Sequence, residues 1–366
     1  MEQVKGFLKR KNIVISAKRY GIDALGAMAQ GLFCSLLIGT ILNTIGTQFH
    51  IGFLTAQVIT INGVGYTIGG LASFMSGSAM AVAIGYALKA DPMVLFSLTA
   101  VGWSANKLGG AGGPLAVLFI AIIAAEIGKM VSKETKVDIL VTPAVTVFVG
   151  AGLSLLIAPP IGAAAKAFGQ LIQDATVLQP FWMGIVVAVL VGIALTLPIS
   201  SAAICAAFTL TGLAGGAAVA GCCAQMVGFA VMSFKENRWG GLISQGIGTS
   251  MLQMPNIVKN PRIWIPPTLA SAITGPIATC VFHLQMNDPA GGVASGMGTC
   301  GFVGQIGVWS GWVNDVALGV KAAITPFDWL GMALICFILP AILSWFFCEM
   351  LRKIGWIREG DLVLPQ

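Results

Sequence analysis

GGLISQGIGTSMLQMPNIVKNPRIWIPPTLASAITGPIATCVFHLQMNDPAGGVASGMGTCGFVGQ, residues 240–305, is the stretch whose reading decides the fold. Two segments rich in glycine, hydroxyls and amides, 240–256 and 287–305, flank an apolar run that begins at Ile263. Polar, helix-breaking chain beside membrane-grade apolar chain is expensive in lipid, because each unsatisfied backbone group there costs several kcal/mol. Such chain survives at depth only when it is buried in protein or lines a water-filled cavity. Broken segments of this kind are where membrane carriers hold their solutes. The stretch therefore predicts an integral membrane protein whose binding residues cluster near the two breaks.

Composition supports that reading across the rest of the chain. Apolar residues make up 57% of the 366 and charged residues 9%, against about 25% charged in a soluble domain. Mean hydropathy is +0.89. Runs close to the ~20 residues that cross a bilayer lie at 24–45, 114–130, 139–158, 181–200, 264–283 and 329–351. Shorter or glycine-interrupted runs lie at 53–66, 69–88, 93–103, 201–213 and 214–234. The expected fold is all-α and membrane-integral, with roughly ten embedded elements, re-entrant hairpins or broken helices among them.

Charge sets the expected topology. Lys5, Lys9, Arg10, Lys11, Lys18 and Arg19 precede the first run, Arg352, Lys353 and Arg358 follow the last, and residues 129–136 form a third basic cluster. Lys and Arg collect on the cytoplasmic side of spans. Both ends are therefore expected inside a bacterial inner membrane, joined by an even number of crossings. No small-residue cleavage site precedes Ala24, which argues against a removable signal peptide. The organisation reads as a basic cytoplasmic segment at 1–21, one transmembrane transport domain at 22–351 and a cytoplasmic tail at 352–366. A net charge of +6 then reflects topology and anionic lipid, not a nucleic-acid partner. The eight cysteines lie scattered in apolar runs with no metal spacing, as small core residues do.

A two-half repeat is hinted at. Glycine-rich breaks at 62–80 and 102–114 in the first half parallel 240–256 and 287–305 in the second, and SGSAMAVAIGYAL (76–88) resembles SSAAICAAFTL (200–210). Paired interruptions mark repeat-built carriers, although small-residue helix packing also enriches glycine.

Candidate binding residues follow from side-chain chemistry. Thr249, Ser250, Gln253 and Asn256 place two hydroxyls and two amides within eight residues, with Thr299 and Gln305 in the second break. Amides and hydroxyls donate and accept without charge, which suits a small neutral polar solute. The same groups also cap helix ends. Asn62 follows the apolar run VITI, and Asn106 and Lys107 open the glycine-rich GGAGG segment, where free N–H groups and a cation can hold an anion. Ionisable groups within spans are candidates for proton or ion coupling, here Glu126, His283 and Asp288. Glu126 has Lys129 at i+3, a spacing that favours a surface ion pair. His283 is expected at the membrane interface, His50 exposed, and Asp315 beside the last break. No catalytic triad, metal-ligand cluster or cofactor fingerprint is present, so an intrinsic enzyme activity and a bound cofactor are not expected.

GIGTSMLQMPNIVKNPRIWIPPTLASAITGP and GVASGMGTCGFVGQ resemble the compact enzyme-IIC membrane family of the bacterial phosphotransferase system, a group that includes perfringolysin-regulator-like proteins. The likeness covers most of the chain from Ile22 onward. It implies a carrier for a sugar or similar solute, acting as a homodimer by alternating access, with separate cytoplasmic IIA and IIB subunits supplying any phosphoryl group. Better-known sugar IIC proteins carry an acidic residue in a Gly-Ile-Thr-Glu turn; here the comparable residues are Gly246, Ile247, Gly248 and Thr249, and the glutamate is missing. Ion-coupled transport of another solute, and a membrane sensor that binds a ligand without moving it, are the alternatives.

Overall fold

The computed structural model describes residues 2–287 and 291–364. Helix accounts for 78% of the chain, with almost no strand, so the fold is an all-α membrane fold. Among the described residues, five helical runs are long and apolar enough to cross a bilayer, or six if the pair Ile68–Phe74 and Ser76–Ala87, bent by 53°, counts as one span. The chain divides into two compact units, Met1–Ala164 and Ala165–Gln366.

In the first unit the run Pro92–Val131 is continuous helix by hydrogen bonding, yet it folds back on itself. A Cβ on Gly128 would lie 2.9 Å from Val94 Cγ1, whereas 34 residues of straight helix would hold those positions about 50 Å apart. The reversal falls at the 3₁₀ turn Gly110–Gly112, where Gly110 takes φ +51°. Two separate elements, as the apolar runs 93–103 and 114–130 suggest, are therefore present. Closely apposed backbones hold this unit together: a Cβ on Gly77 would strike the Gly102 carbonyl, and one on Gly102 the Gly77 carbonyl. The small strand component is a hairpin, Ile59–Ile61 with Val64–Tyr66. Asn62 and Gly63, at φ +49° and +79°, form the two-residue turn that Asn-Gly between β-branched residues favours.

The helix Asp138–Ala175 departs from expectation at its end. The apolar run stops at 158, but the helix continues through Pro159 and Pro160. The two prolines leave the carbonyls of Leu155 and Leu156 without helical donors, a cost a helix tolerates when the surrounding chain holds it.

The second unit is built around Gly212–Met232, whose most apolar window is 94% buried. Pro180–Thr196, Ile265–Cys280 and Leu339–Lys353 pack on it. Small residues let the backbones meet. A Cβ on Gly221 would strike the Ala188 carbonyl, and one on Gly275 the Gly184 carbonyl. The two ends of this bundle are distinguishable. At one, Thr279 Oγ1 donates to the Pro180 carbonyl at 2.8 Å. At the other, Lys235 pairs with Glu349 and Arg352 with Glu236, at 2.8 and 2.7 Å.

Candidate functional site

Both breaks are irregular chain pressed against the helix Gly212–Met232. The first runs from Phe234–Ile243 into a π-turn, Ser244–Gly248, then an extended Thr249, a 3₁₀ turn Ser250–Gln253 and the short helix Met254–Lys259. Thr249 caps that 3₁₀ turn, its Oγ1 accepting from the Met251 N–H at 3.2 Å. In the second break Gly298, Gly301 and Phe302 take φ of +55°, +52° and +59°. A Cβ on Gly298 would meet Cys222, so glycine is required there both for conformation and for space. The first break touches the same helix at Ala230, opposite Gly246.

Ser250 lies in a buried, uncharged hydrogen-bonded chain. Its Oγ is 2.8 Å from Thr196 Oγ1, and Thr196 donates in turn to Gln225 Oε1 at 3.3 Å. That oxygen also accepts from Trp264 Nε1 at 3.0 Å, while Gln225 Nε2 donates to Thr268 Oγ1 at 3.3 Å. Thr196, Gln225 and Ser250 are fully buried. The chain links Pro180–Thr196, Gly212–Met232, the 3₁₀ turn and the start of Ile265–Cys280. Thr196, Gln225, Trp264 and Thr268 were not singled out by sequence reasoning. Gln225 was the accessible clue, an amide in the middle of an otherwise apolar, alanine- and glycine-rich run.

Gln253 and Asn256 belong to a different cluster. Gln253 Nε2 donates to Gln245 Oε1 at 2.8 Å and to the Leu362 carbonyl at 3.0 Å. Asn256 Nδ2 donates to Gln253 Oε1 and to the Val363 carbonyl, both at 2.8 Å. Gln245 Nε2 donates to Ser233 Oγ at 2.9 Å. These amides thus hold the segment that follows the last helix. In the second break Thr299 Oγ1 reaches Met226 Sδ at 3.5 Å, its one hydrogen-bond contact among the described residues. Gln305 Nε2 points at Cys223 Sγ, 3.2 Å away, and Gln305 Oε1 is buried with no hydrogen-bond partner among the described residues.

The first-unit candidates are separately placed. Asn62 is exposed in the hairpin turn. Asn106 Nδ2 donates to Ser76 Oγ at 3.3 Å, at the bend between the helices Ile68–Phe74 and Ser76–Ala87. Lys107 Nζ lies 4.4 Å from the centre of the Phe74 ring, a cation–π contact. The Glu126–Lys129 pair forms at 2.8 Å, but it is buried and not at the surface, with Lys129 2% and Glu126 7% exposed. The covering groups come from elsewhere: Lys129 also donates to the carbonyls of Asn12 and Leu88, and the Tyr20 hydroxyl donates to Glu126 Oε1 at 3.1 Å. Near it, Arg10 and Lys11 pair with Glu134, and Lys133 with Asp91. The hydrogen bond from Lys133 holds the Asp91 carboxyl below its usual range, and that from Lys11 does the same for Glu134. His283 is exposed at φ +45° just past the helix Ile265–Cys280. His50 is exposed, and Asp315 accepts from Asn287 Nδ2 at 2.7 Å. Asp288 lies outside the described residues. Among the described residues no group of three His, Cys, Asp or Glu is arranged to hold a metal ion.

Comparison with curated proteins and with solved structures gave no match. Comparison with family models matched residues 22–364 to the one described as "Phosphotransferase system, EIIC", and with nearly the whole chain matched, this protein belongs to that family of phosphotransferase-system membrane permeases.

Proposed function

We propose that this permease moves a small, neutral, hydroxyl-bearing solute of sugar type across the bacterial inner membrane by alternating access. Separate cytoplasmic phosphotransferase subunits supply any phosphoryl group, and the homodimer rests on family likeness alone. The observation that carries the reading is the hydrogen-bonded chain of buried Ser250, Thr196 and Gln225 with half-buried Trp264 and Thr268. It contains hydroxyls, an amide and an indole, and no charge. A sugar hydroxyl both donates and accepts, so it exchanges with these internal hydrogen bonds without leaving a buried group unpaired. The indole adds an apolar face for a sugar ring. Ser250 rides on irregular chain, whereas Thr196 and Gln225 sit on packed helices. Separating that turn from those helices is the motion that supports access from alternate sides. Gln305 Oε1, buried with no partner among the described residues, is the second contact we assign to the solute.

Uptake into sealed vesicles, screened over sugars, nucleobases and organic acids, tests the reading. A sugar is the expected hit. Gln225→Ala should weaken its apparent affinity about 30-fold or more, since a buried amide that loses its partners costs ~2 kcal/mol. Ser250→Ala should weaken it by a smaller factor. Uptake unaltered by Gln225→Ala, Ser250→Ala and Trp264→Phe together would place the solute elsewhere.

A further inference from the structure

The segment after the last helix, residues 356–364, is seated on four amide side chains. Asn237 Nδ2 donates to the Leu362 carbonyl at 2.7 Å, and Asn237 Oδ1 accepts from the Leu364 N–H at 2.9 Å. Gln253 and Asn256 take the Leu362 and Val363 carbonyls. Asn260 Nδ2 donates to the Trp356 carbonyl at 2.9 Å and to Asp361 Oδ2 at 2.8 Å. Between these contacts the Leu362 side chain is fully buried and Ile357 nearly so, and Arg262 stacks over the Trp356 ring at 5.1 Å. The amides read main-chain carbonyls, as a strand partner does, and the two apolar side chains fill the space between.

A second, independent feature lies next to this clasp. Arg238, directly after Asn237, has φ +51° and ψ −149° inside what is otherwise the helix Phe234–Ile243. That region of backbone space is essentially confined to glycine, and an L side chain held there is strained. Surrounding contacts must hold such a residue in place. Asn237, the residue before it, is tied to the 356–364 segment through both its amide nitrogen and its amide oxygen. Downstream come Gly240, Gly241 and the π-turn Ser244–Gly248, and then Ser250.

We propose that residues 356–364 form a latch: docked, they hold the arm 238–253 in its strained position with Ser250 against Thr196; released, they let Arg238 relax and the arm withdraw. The latch lies at the end of the second unit marked by the Lys235–Glu349 and Arg352–Glu236 pairs, so it governs opening of the polar turn at that end. The latch goes beyond the solute reading, because its test follows the arm and needs no solute.

Hydrogen–deuterium exchange on the full chain in lipid nanodiscs tests it, followed on peptides spanning 239–253, with 76–87 and 212–228 as references. Leu362→Asp puts a charge into the fully buried seat, and Asn237→Ala removes the paired amide contact while keeping its Cβ. Each should speed exchange in 239–253 by about tenfold or more with the references unchanged. Arg238→Gly accepts the observed backbone angles without strain and should slow exchange in the same peptides several-fold. Faster exchange that spreads equally to 76–87 and 212–228 would overturn the latch, since residues 356–364 would then be an ordinary part of the fold. Unchanged or faster exchange in Arg238→Gly would also overturn it, and that variant remains decisive even where Leu362→Asp fails to fold.

Discussion

Lys129 shows what burial does to a single charge. Its ammonium has three donors, and the structure fills them with Glu126 Oε2 and the carbonyls of Asn12 and Leu88. An ammonium that is 2% exposed is tolerable only with such saturation. Lys129→Ala should lower stability by ~3–5 kcal/mol, because it strands the buried Glu126 carboxylate with the Tyr20 hydroxyl as its one remaining partner. Glu126→Gln should cost less, about 1–2 kcal/mol, since the Lys129 carbonyl contacts and an acceptor for Tyr20 survive. Thermal unfolding in detergent separates the two, and equal losses would refute this ordering. The i,i+3 pair was legible in the sequence, because helical spacing is local. Its depth was not, because Asn12, Tyr20 and Leu88 arrive from far along the chain. The candidate site was partly legible for the same reason. Ser250 stood out within a polar turn, but its partner Thr196, and Gln225 and Trp264 further along the chain of hydrogen bonds, belong to three other elements. Gln253 and Asn256 were visible as amides, while their engagement with residues 362 and 363 required the fold.

Elements were readable wherever a local rule governed them. Apolar runs marked most helices, and the separate runs 93–103 and 114–130 anticipated the helical hairpin that the unbroken hydrogen-bond pattern conceals. The Asn62-Gly63 hairpin also had a local signal, NG between β-branched residues, but it lay inside a stretch read as a glycine-rich break. Glycine served two purposes that composition alone does not separate. Some glycines turn the chain, and others let helices touch. Gly221→Ala should destabilise by ~1–3 kcal/mol or more, because the new Cβ meets the Ala188 carbonyl, a backbone atom that cannot rotate away. Gly240→Ala, also helical, has open space at its Cβ position and should be neutral or slightly stabilising. Melting temperatures of the two variants side by side check this, and a Gly221→Ala protein as stable as wild type would mean that the crossing has slack.

At the scale of the whole molecule, topology is where charge and contacts have to agree. In the first unit the basic start of the chain is tied to the 129–136 loop through Arg10 and Lys11 to Glu134, so both lie on one face. In the second unit the end of the last helix is tied to the Ser233 end of the central helix through Lys235–Glu349 and Arg352–Glu236. Each tied group carries the Lys and Arg excess that marks the cytoplasmic side. We therefore expect Lys133 and Arg358 to share the cytoplasmic face. His50, beyond the first span, and Val320, ahead of the last, should lie on the opposite one. Single cysteines at these four positions, in a chain freed of its eight native cysteines, give the test. With a membrane-impermeant thiol reagent, Lys133→Cys and Arg358→Cys should label in inverted vesicles, and His50→Cys and Val320→Cys in right-side-out cells. Labelling of Lys133→Cys and Arg358→Cys from opposite faces would require an odd number of crossings between them, and the expectation of a shared cytoplasmic face would fall with it.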